Sequence, residues 1–180
     1  DLDLYDYEVE KVCGGIDASI ATGHGVAGDG SLFRQARTDE QWDVIFIQQG
    51  SAYAPYYELW GGDGPGGYLN QLLTVVKHHQ PNAIIGMMLV HSYASSYAGN
   101  TEQSSLERWK LIAASVQQLC ADYGISLVVP YGTAIQNIRA SSLNNDEDLT
   151  CDGIHCDMVL GRYTASCCYF ETILSCRTGK

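Results

Sequence analysis

Trp42-Asp43-Val44-Ile45-Phe46-Ile47-Gln48-Gln49-Gly50-Ser51 is the stretch on which the fold turns. Its centre, Asp43 to Ile47, is a short β-branched and aromatic run, the pattern of a strand buried on both faces of a parallel sheet. The run ends abruptly in amides, glycine and serine. In open α/β sheets the crevice beyond the carboxyl ends of the strands is where ligands bind, so this polar ending marks a candidate site as well as a strand end.

Downstream, the same alternation repeats. Gly61 to Gly67 is a glycine-rich loop. Tyr68 to His79 carries Leu69, Leu72, Leu73 and Val76 at helical spacing, with Pro81 just beyond as a stop. Ala83 to Val90 is a second apolar strand, and it too runs into polar and aromatic residues, His91-Ser92-Tyr93. Thr101 to Tyr123 reads as a long amphipathic helix with Leu106, Trp109, Ile112, Ala113, Val116 and Leu119 on one stripe and Gly124 as its terminator. Ser126 to Pro130 is a third strand, Gly132 to Ala140 a helical turn, Ser141 to Leu149 a polar loop, and Met158 to Leu174 the last helix. Strands alternating with helices predict an α/β fold with a mainly parallel sheet, in one domain over residues 1–180. Upstream of Trp42 the patterning is weak, and Gly23 to Ser31 reads as a flexible loop.

Charge narrows the partners. Against 21 acidic residues stand only 10 Lys and Arg, a formal charge of −11 that repels phosphate backbones and anionic bilayers. Nucleic acid and membrane are therefore not expected partners, and no run approaches the roughly 20 apolar residues that span a bilayer. The 12 tyrosines either pack half-buried or line a cleft with rings that also carry a hydroxyl, as sugar-binding sites do. Seven cysteines is an odd number, and no C-x-x-C is present to indicate zinc or dithiol redox chemistry. Cys151 and Cys156 either pair in an exported protein or serve as small packing residues, and localisation stays open between these. Cys167-Cys168 reads as helix packing. His78 and His79 are adjacent on a helix and point in different directions, a poor basis for a metal site.

Asp152-Gly153-Ile154-His155 carries the chemistry. A carboxylate three residues before a histidine, on a loop just ahead of a helix, can hold one imidazole nitrogen and fix the tautomer while the other nitrogen faces a nucleophile. The bland alternative is that Asp152 caps the helix and His155 is a surface ring.

Three separated blocks raise the first reading: Trp42 to Val44 with Gln48 to Ser51, Val129-Pro130-Tyr131-Gly132-Thr133-Ala134-Ile135-Gln136, and Asp152 to His155 followed by Gly161-Arg162-Tyr163. Together they resemble the SGNH (GDSL-type) hydrolase superfamily, and within it a branch of uncharacterised bacterial SGNH-like proteins. The resemblance implies a flavodoxin-like three-layer α/β/α sandwich and hydrolysis of acyl esters, acetyl among them, of a carbohydrate or similar small substrate. It implies neither metal nor cofactor. His155 would be the catalytic base and Asp152 its orienting acid. Gln49, with Gln48, stands where the superfamily places an oxyanion-binding Asn, the alternative being a strand-end Gln that satisfies loop backbone groups. His91, Tyr93 and Tyr53 would line the substrate pocket, the alternative for His91 being a satisfied core histidine.

The superfamily's first block is missing, and its second, a strand and glycine-containing loop with another oxyanion donor, is not recognisable before Trp42. Its nucleophilic serine follows the first strand in a Gly-Asp-Ser or Gly-Asn-Ser motif, and Gly28-Asp29-Gly30-Ser31 is split by a glycine with no apolar strand before it. The resemblance thus implies a domain lacking its first strand, with the serine supplied from elsewhere and Ser51 as a fallback nucleophile. A second reading keeps the scaffold without the reaction, as a carbohydrate-binding or interaction domain whose Tyr53, Tyr56, Tyr57 and Trp60 stack against sugars.

Overall fold

In a computed structural model of the chain, residues 41–62, 68–144 and 148–178 are described. The expectations placed on residues 1–40, including Gly28 to Ser31, and on residues 63–67 of the glycine-rich loop lie outside them.

Strand β1 (Val44–Ile47), helix α1 (Tyr68–His79), strand β2 (Ile84–Met88), helix α2 (Glu102–Tyr123), strand β3 (Leu127–Val129), helix α3 (Tyr131–Arg139) and helix α4 (Leu160–Thr178) follow one another along the chain. A 3-10 turn at Tyr57–Leu59 interrupts the segment between β1 and α1. The strands form a three-stranded parallel sheet in the order β1-β2-β3, with helices between them, so the α/β expectation holds. β2 and β3 pair in parallel with Gly86 opposite Leu127 and Met88 opposite Val129. A parallel pair needs a crossover, and α2 supplies it.

The described residues divide into two compact units. One comprises those up to Ile45 together with Trp60–Ile84. In it α1 buries Leu69, Leu73 and Val76, the helical stripe read from the sequence. The buried Gln80 accepts from the Trp42 N–H at 3.1 Å, and Ile84 N donates to Asp43 O at 2.9 Å. The other comprises Phe46–Leu59 and the residues from Ile85 onward, and it holds every residue of the candidate site.

Within this second unit, Met87, Val90, Ile112, Val116, Leu119, Val129, Ile135 and Leu149 make the core. Helix α2 begins on a capping box, in which Thr101 accepts from Ser104 N and the Ser104 hydroxyl accepts from Thr101 N. It ends where expected, on Gly124 in the left-handed conformation with φ 65°. Its buried face differs from the apolar stripe of the sequence, because Ser105 and Ser115 lie on it and Leu106 and Trp109 are only half-buried.

The helical turn expected over Gly132 to Ala140 is a nine-residue helix, α3, that begins one residue earlier. Its placement depends on Gly132: a Cβ there would stand 2.1 Å from Val90 O, and the Gly132 N–H donates to Leu89 O at 2.8 Å. Helix α3 can therefore rest against the end of β2 only with hydrogen in place of a side chain. Helix α4 packs on β3 and α3, and Phe46 of β1 meets Tyr169 of α4 edge-on with ring centroids 5.3 Å apart.

Candidate active site

Three loops meet at the carboxyl ends of the strands. The Gln48 to Ser51 loop leaves β1, the His91 to Tyr97 segment leaves β2, and the 148–157 loop leads into α4. The Ser51 hydroxyl joins the first to the second by donating to His91 O at 3.0 Å. The Ala94 N–H joins the second to the third by donating to Gly153 O at 2.8 Å.

Asp152 and His155 meet as the spacing predicts. Asp152 Oδ2 lies 2.6 Å from His155 Nδ1, while Oδ1 accepts from the backbone N–H groups of Ile154 at 2.9 Å and His155 at 2.7 Å. Those contacts, the His155 backbone N–H foremost and its ring next, hold the carboxyl down at about 2. The pair is open to solvent, with the His155 side chain 70% and the Asp152 side chain 49% exposed. Because the carboxylate accepts at Nδ1, the neutral ring carries its proton there and leaves Nε2 as the basic nitrogen. Among the described residues no hydrogen bond is made to Nε2.

The turn that presents the pair is closed by the Thr150–Cys156 bridge and by Cys151 N donating to His155 O at 2.9 Å. Gly153 sits at its tip with φ 84°, and a Cβ there would meet Tyr97 at 2.8 Å. Only glycine satisfies both the backbone and the neighbour. Helix capping, the bland role considered for Asp152, belongs instead to Asp157, whose Oδ1 accepts from Val159 N at 2.7 Å and Gly161 N at 3.2 Å as α4 begins. Cys151 and Cys156 are both free thiols, so the reading of them as a disulfide pair does not apply here.

Gln49 lies at the end of β1 with its Oε1 accepting from Gly50 N at 2.8 Å. A backbone N–H can only donate, so the amide orientation is fixed and the NH2 group is the end available as a donor. Gln48 is exposed. Ser51 does not meet His155, since its hydroxyl is given to His91 O. Ser51 O and Ala52 O in turn accept from Arg108 Nη2 at 2.7 and 2.9 Å, and the same guanidinium lies 4.4 Å over the Tyr93 ring. Tyr93 also stacks at a tilt on Tyr97, with centroids 4.9 Å apart.

His91 is almost wholly buried, 4% exposed, with Tyr131 edge-on at 5.9 Å. Neither of its ring nitrogens has a hydrogen-bond partner among the described residues. Burial, reinforced by the charges of Arg139 and His155, pushes its pKa down to about 4, so the ring is neutral near pH 7.

The stacking platform drawn from the sequence is smaller than expected. Tyr53 and Tyr56 are exposed, but the Tyr57 hydroxyl donates to Asp122 and Trp60 is only 5% exposed. A buried indole presents no face to a ligand.

Sequence reading missed Arg139. It lies one helical turn beyond the buried Ile135, so a charge on the packed side of α3 was the available signal. Its Nε donates to Asp148 O at 3.0 Å, and its Nη1 reaches Ser92 O and Ser92 Oγ, both at 3.1 Å. Burial lowers its pKa, opposed by the Asp148 charge. The Asp148 carboxylate accepts from Ser95 N at 2.6 Å, from Ser95 Oγ at 2.5 Å and from Asn144 Nδ2 at 2.8 Å. Burial pushes Asp148 up, yet the bonds from Asn144 and Ser95 outweigh it and leave the carboxyl below its ordinary range. Asp148 and Leu149 take positive φ values of 52° and 62° in succession. For residues with a Cβ this costs roughly 1–2 kcal/mol each.

Among the described residues, no group of three or more His, Cys, Asp or Glu side chains is placed to hold a metal ion. No helix among them is long and apolar enough to cross a membrane.

The fold and site define a parallel α/β protein that presents an Asp–His pair beside the carboxyl ends of its strands. The chain belongs to the DUF4886 family, a domain of unknown function, whose sequence profile matches residues 29–179. It is similar to a solved structure, the crystal structure of a DUF4886 family protein from Bacteroides uniformis ATCC 8492 at 1.50 Å resolution, with 29% sequence identity and a TM-score of 0.67. The match covers 78% of this chain and 53% of that one, so the chain spans about half the length of the protein it resembles. No curated protein matches it.

Proposed function

We propose that the chain carries the acid–base half of a serine-type ester hydrolase of the SGNH kind, on a flavodoxin-like scaffold, cleaving acyl esters of a carbohydrate or similar small substrate. The observation that carries the reading is the contact of 2.6 Å between Asp152 Oδ2 and His155 Nδ1, on an exposed turn, with Nε2 left free to take a proton.

In the reaction, a serine outside the described residues attacks the acyl carbon as His155 Nε2 takes the proton from its hydroxyl. Asp152 keeps the ring in the required tautomer and stabilises the imidazolium as it forms. The amide NH2 of Gln49 donates to the oxyanion, which reverts to a carbonyl as the alcohol leaves with the proton held by His155. Water, deprotonated by the same nitrogen, then releases the acid. The aromatic surface of Tyr93 and Tyr97, with exposed Tyr53 and Tyr56, suits a sugar ring better than an anionic group in a protein of net charge −11.

A second reading, a carbohydrate-binding or interaction domain without hydrolysis, is favoured by the Ser51 hydroxyl being committed to His91 O and not to His155. One experiment separates the two. The hydrolase turns over a short-chain aryl acetate, and His155→Ala removes that turnover without lowering the melting temperature. Wild-type turnover in His155→Ala would sink the assignment of the base, and no turnover in the native protein would favour the binding domain.

A further inference from the structure

We propose that Arg139 is a positioning residue that sets the turn bearing Asp152 and His155 against the loop leaving β2. This rests on the hydrolase reading for its kinetic consequences, and on geometry alone for its structural ones.

Three segments converge on the one guanidinium. Nε holds Asp148 O, four residues before Asp152. Nη1 holds Ser92 O and Ser92 Oγ on the loop that carries His91 and Tyr93. Ser92 Oγ in turn lies 3.0 Å from Ser105 Oγ on α2, and Ser105 Oγ donates to Tyr93 O at 2.7 Å. Ser95 closes the loop on the far side through both of its bonds to the Asp148 carboxylate.

The catalytic turn follows this hub immediately. Asp148 and Leu149 hold a backbone conformation that residues with a Cβ avoid, and a strained conformation persists only where its surroundings over-determine it. Here the surroundings are Arg139 on the Asp148 carbonyl, Ser95 and Asn144 on its carboxylate, and the wholly buried Leu149 side chain. From Leu149 the chain passes through Thr150, whose Oγ1 accepts from Gly153 N at 3.1 Å, directly into the Asp–His turn. Asp152 and His155 are too exposed to be held by packing of their own. Their position is inherited from the buried hub, and Arg139 is the donor shared by both loops. A Lys in its place can keep one of these contacts at a time, because its donors radiate from a single atom.

The test compares Arg139→Met and Arg139→Lys in the native protein, alone and in the His155→Ala background. Amide exchange should quicken about tenfold or more over residues 92–97 and 148–156 in Arg139→Met, leave α1 unchanged, and be partly restored in Arg139→Lys. Turnover should fall about 10- to 100-fold with KM unchanged, the size of effect a small misplacement of reacting groups produces. The substitution should cost nothing further once His155 is Ala. If Arg139→Met does not fold, Ser95→Ala applies the same test from the other side of Asp148. Unchanged exchange over 148–156 overturns the proposal whether or not the protein is a hydrolase. A loss carried by KM, or one that persists in the His155→Ala background, overturns it as a route to His155. Absence of any esterase turnover sinks the hydrolase reading and leaves the exchange result to decide the role of Arg139.

Discussion

His155 and His91 lie on adjoining loops and are opposites in every physical respect. His155 is open to solvent and held by a carboxylate at Nδ1, with Nε2 unoccupied. His91 is buried against Tyr131, lacks a hydrogen-bond partner at either nitrogen and is held neutral down to about pH 4. The contrast separates two jobs that one residue type can do at a strand end. An exposed, paired imidazole can exchange a proton with a substrate at little cost. A buried, unpaired one cannot be charged without paying desolvation, and its neutrality is part of the fold. Sequence tells the two apart only by neighbours: His155 follows Asp152 by three residues on a loop, and His91 follows the apolar run Ala83 to Val90.

Removing His155 should break the comparison most sharply. His155→Ala should lower turnover by about 10⁴-fold or more, whereas loss of the His91 ring should act mainly on stability. Asp152→Asn should come next, at about 10³–10⁴-fold, because an amide can present its NH2 to Nδ1 and stabilise the wrong tautomer. A pH–rate profile sharpens the point. With its pKa at about 2, below the ordinary 3.8, Asp152 supports the pair above the ordinary value and loses that role only as pH falls through about 2. An acid limb at higher pH must therefore come from a group other than Asp152.

For His91 the expected effect is on unfolding. Its pKa falls from the ordinary 6.5 to about 4, through burial first and then the charges of Arg139 and His155. The unfolded chain therefore binds a proton between these values that the folded protein excludes. Stability is full above pH 6.5 and declines as pH drops toward 4, by roughly 3 kcal/mol at most for this one group. Denaturant titrations at pH 7 and pH 4.5 should show the decline, and His91→Leu should reduce it. An equal decline in the variant would place the proton elsewhere and end the contrast.

Legibility in the sequence followed the same division. The local elements were readable because their signals are local: α1 runs over the expected residues, α2 stops at Gly124, and the Asp152–His155 pair forms on a three-residue spacing. Contacts made across long separations were not readable. Trp60 looked like a partner of Tyr53 and Tyr56 and is buried; Ser105, outside the apolar stripe read from the sequence, is a buried donor to Tyr93 O. Arg139 gave the largest miss. Its value lies in acceptors 9, 46 and 47 residues away, which no periodicity encodes. The exposed pair could be read from sequence because it is nearly self-contained, and the buried hub could not because it exists only after the loops meet.

A smaller effect than those at His155 and Asp152 is expected at Gln49, which extends the comparison from the histidine to the charge its proton transfer would create. Its Oε1 is committed to Gly50 N, so the amide can serve an oxyanion only through its NH2 end. Gln49→Glu tests that commitment, because a carboxylate still accepts from Gly50 but has nothing to donate. Turnover should fall about 100-fold for Gln49→Ala, the usual loss for one oxyanion donor, and further for Gln49→Glu, whose charge opposes the one developing on the carbonyl. Substrate affinity should change little in Gln49→Ala if the donor acts on the transition state. A rise in KM with turnover preserved would instead make Gln49 a ground-state contact, and the oxyanion donor would then have to come from a backbone N–H or from outside the described residues.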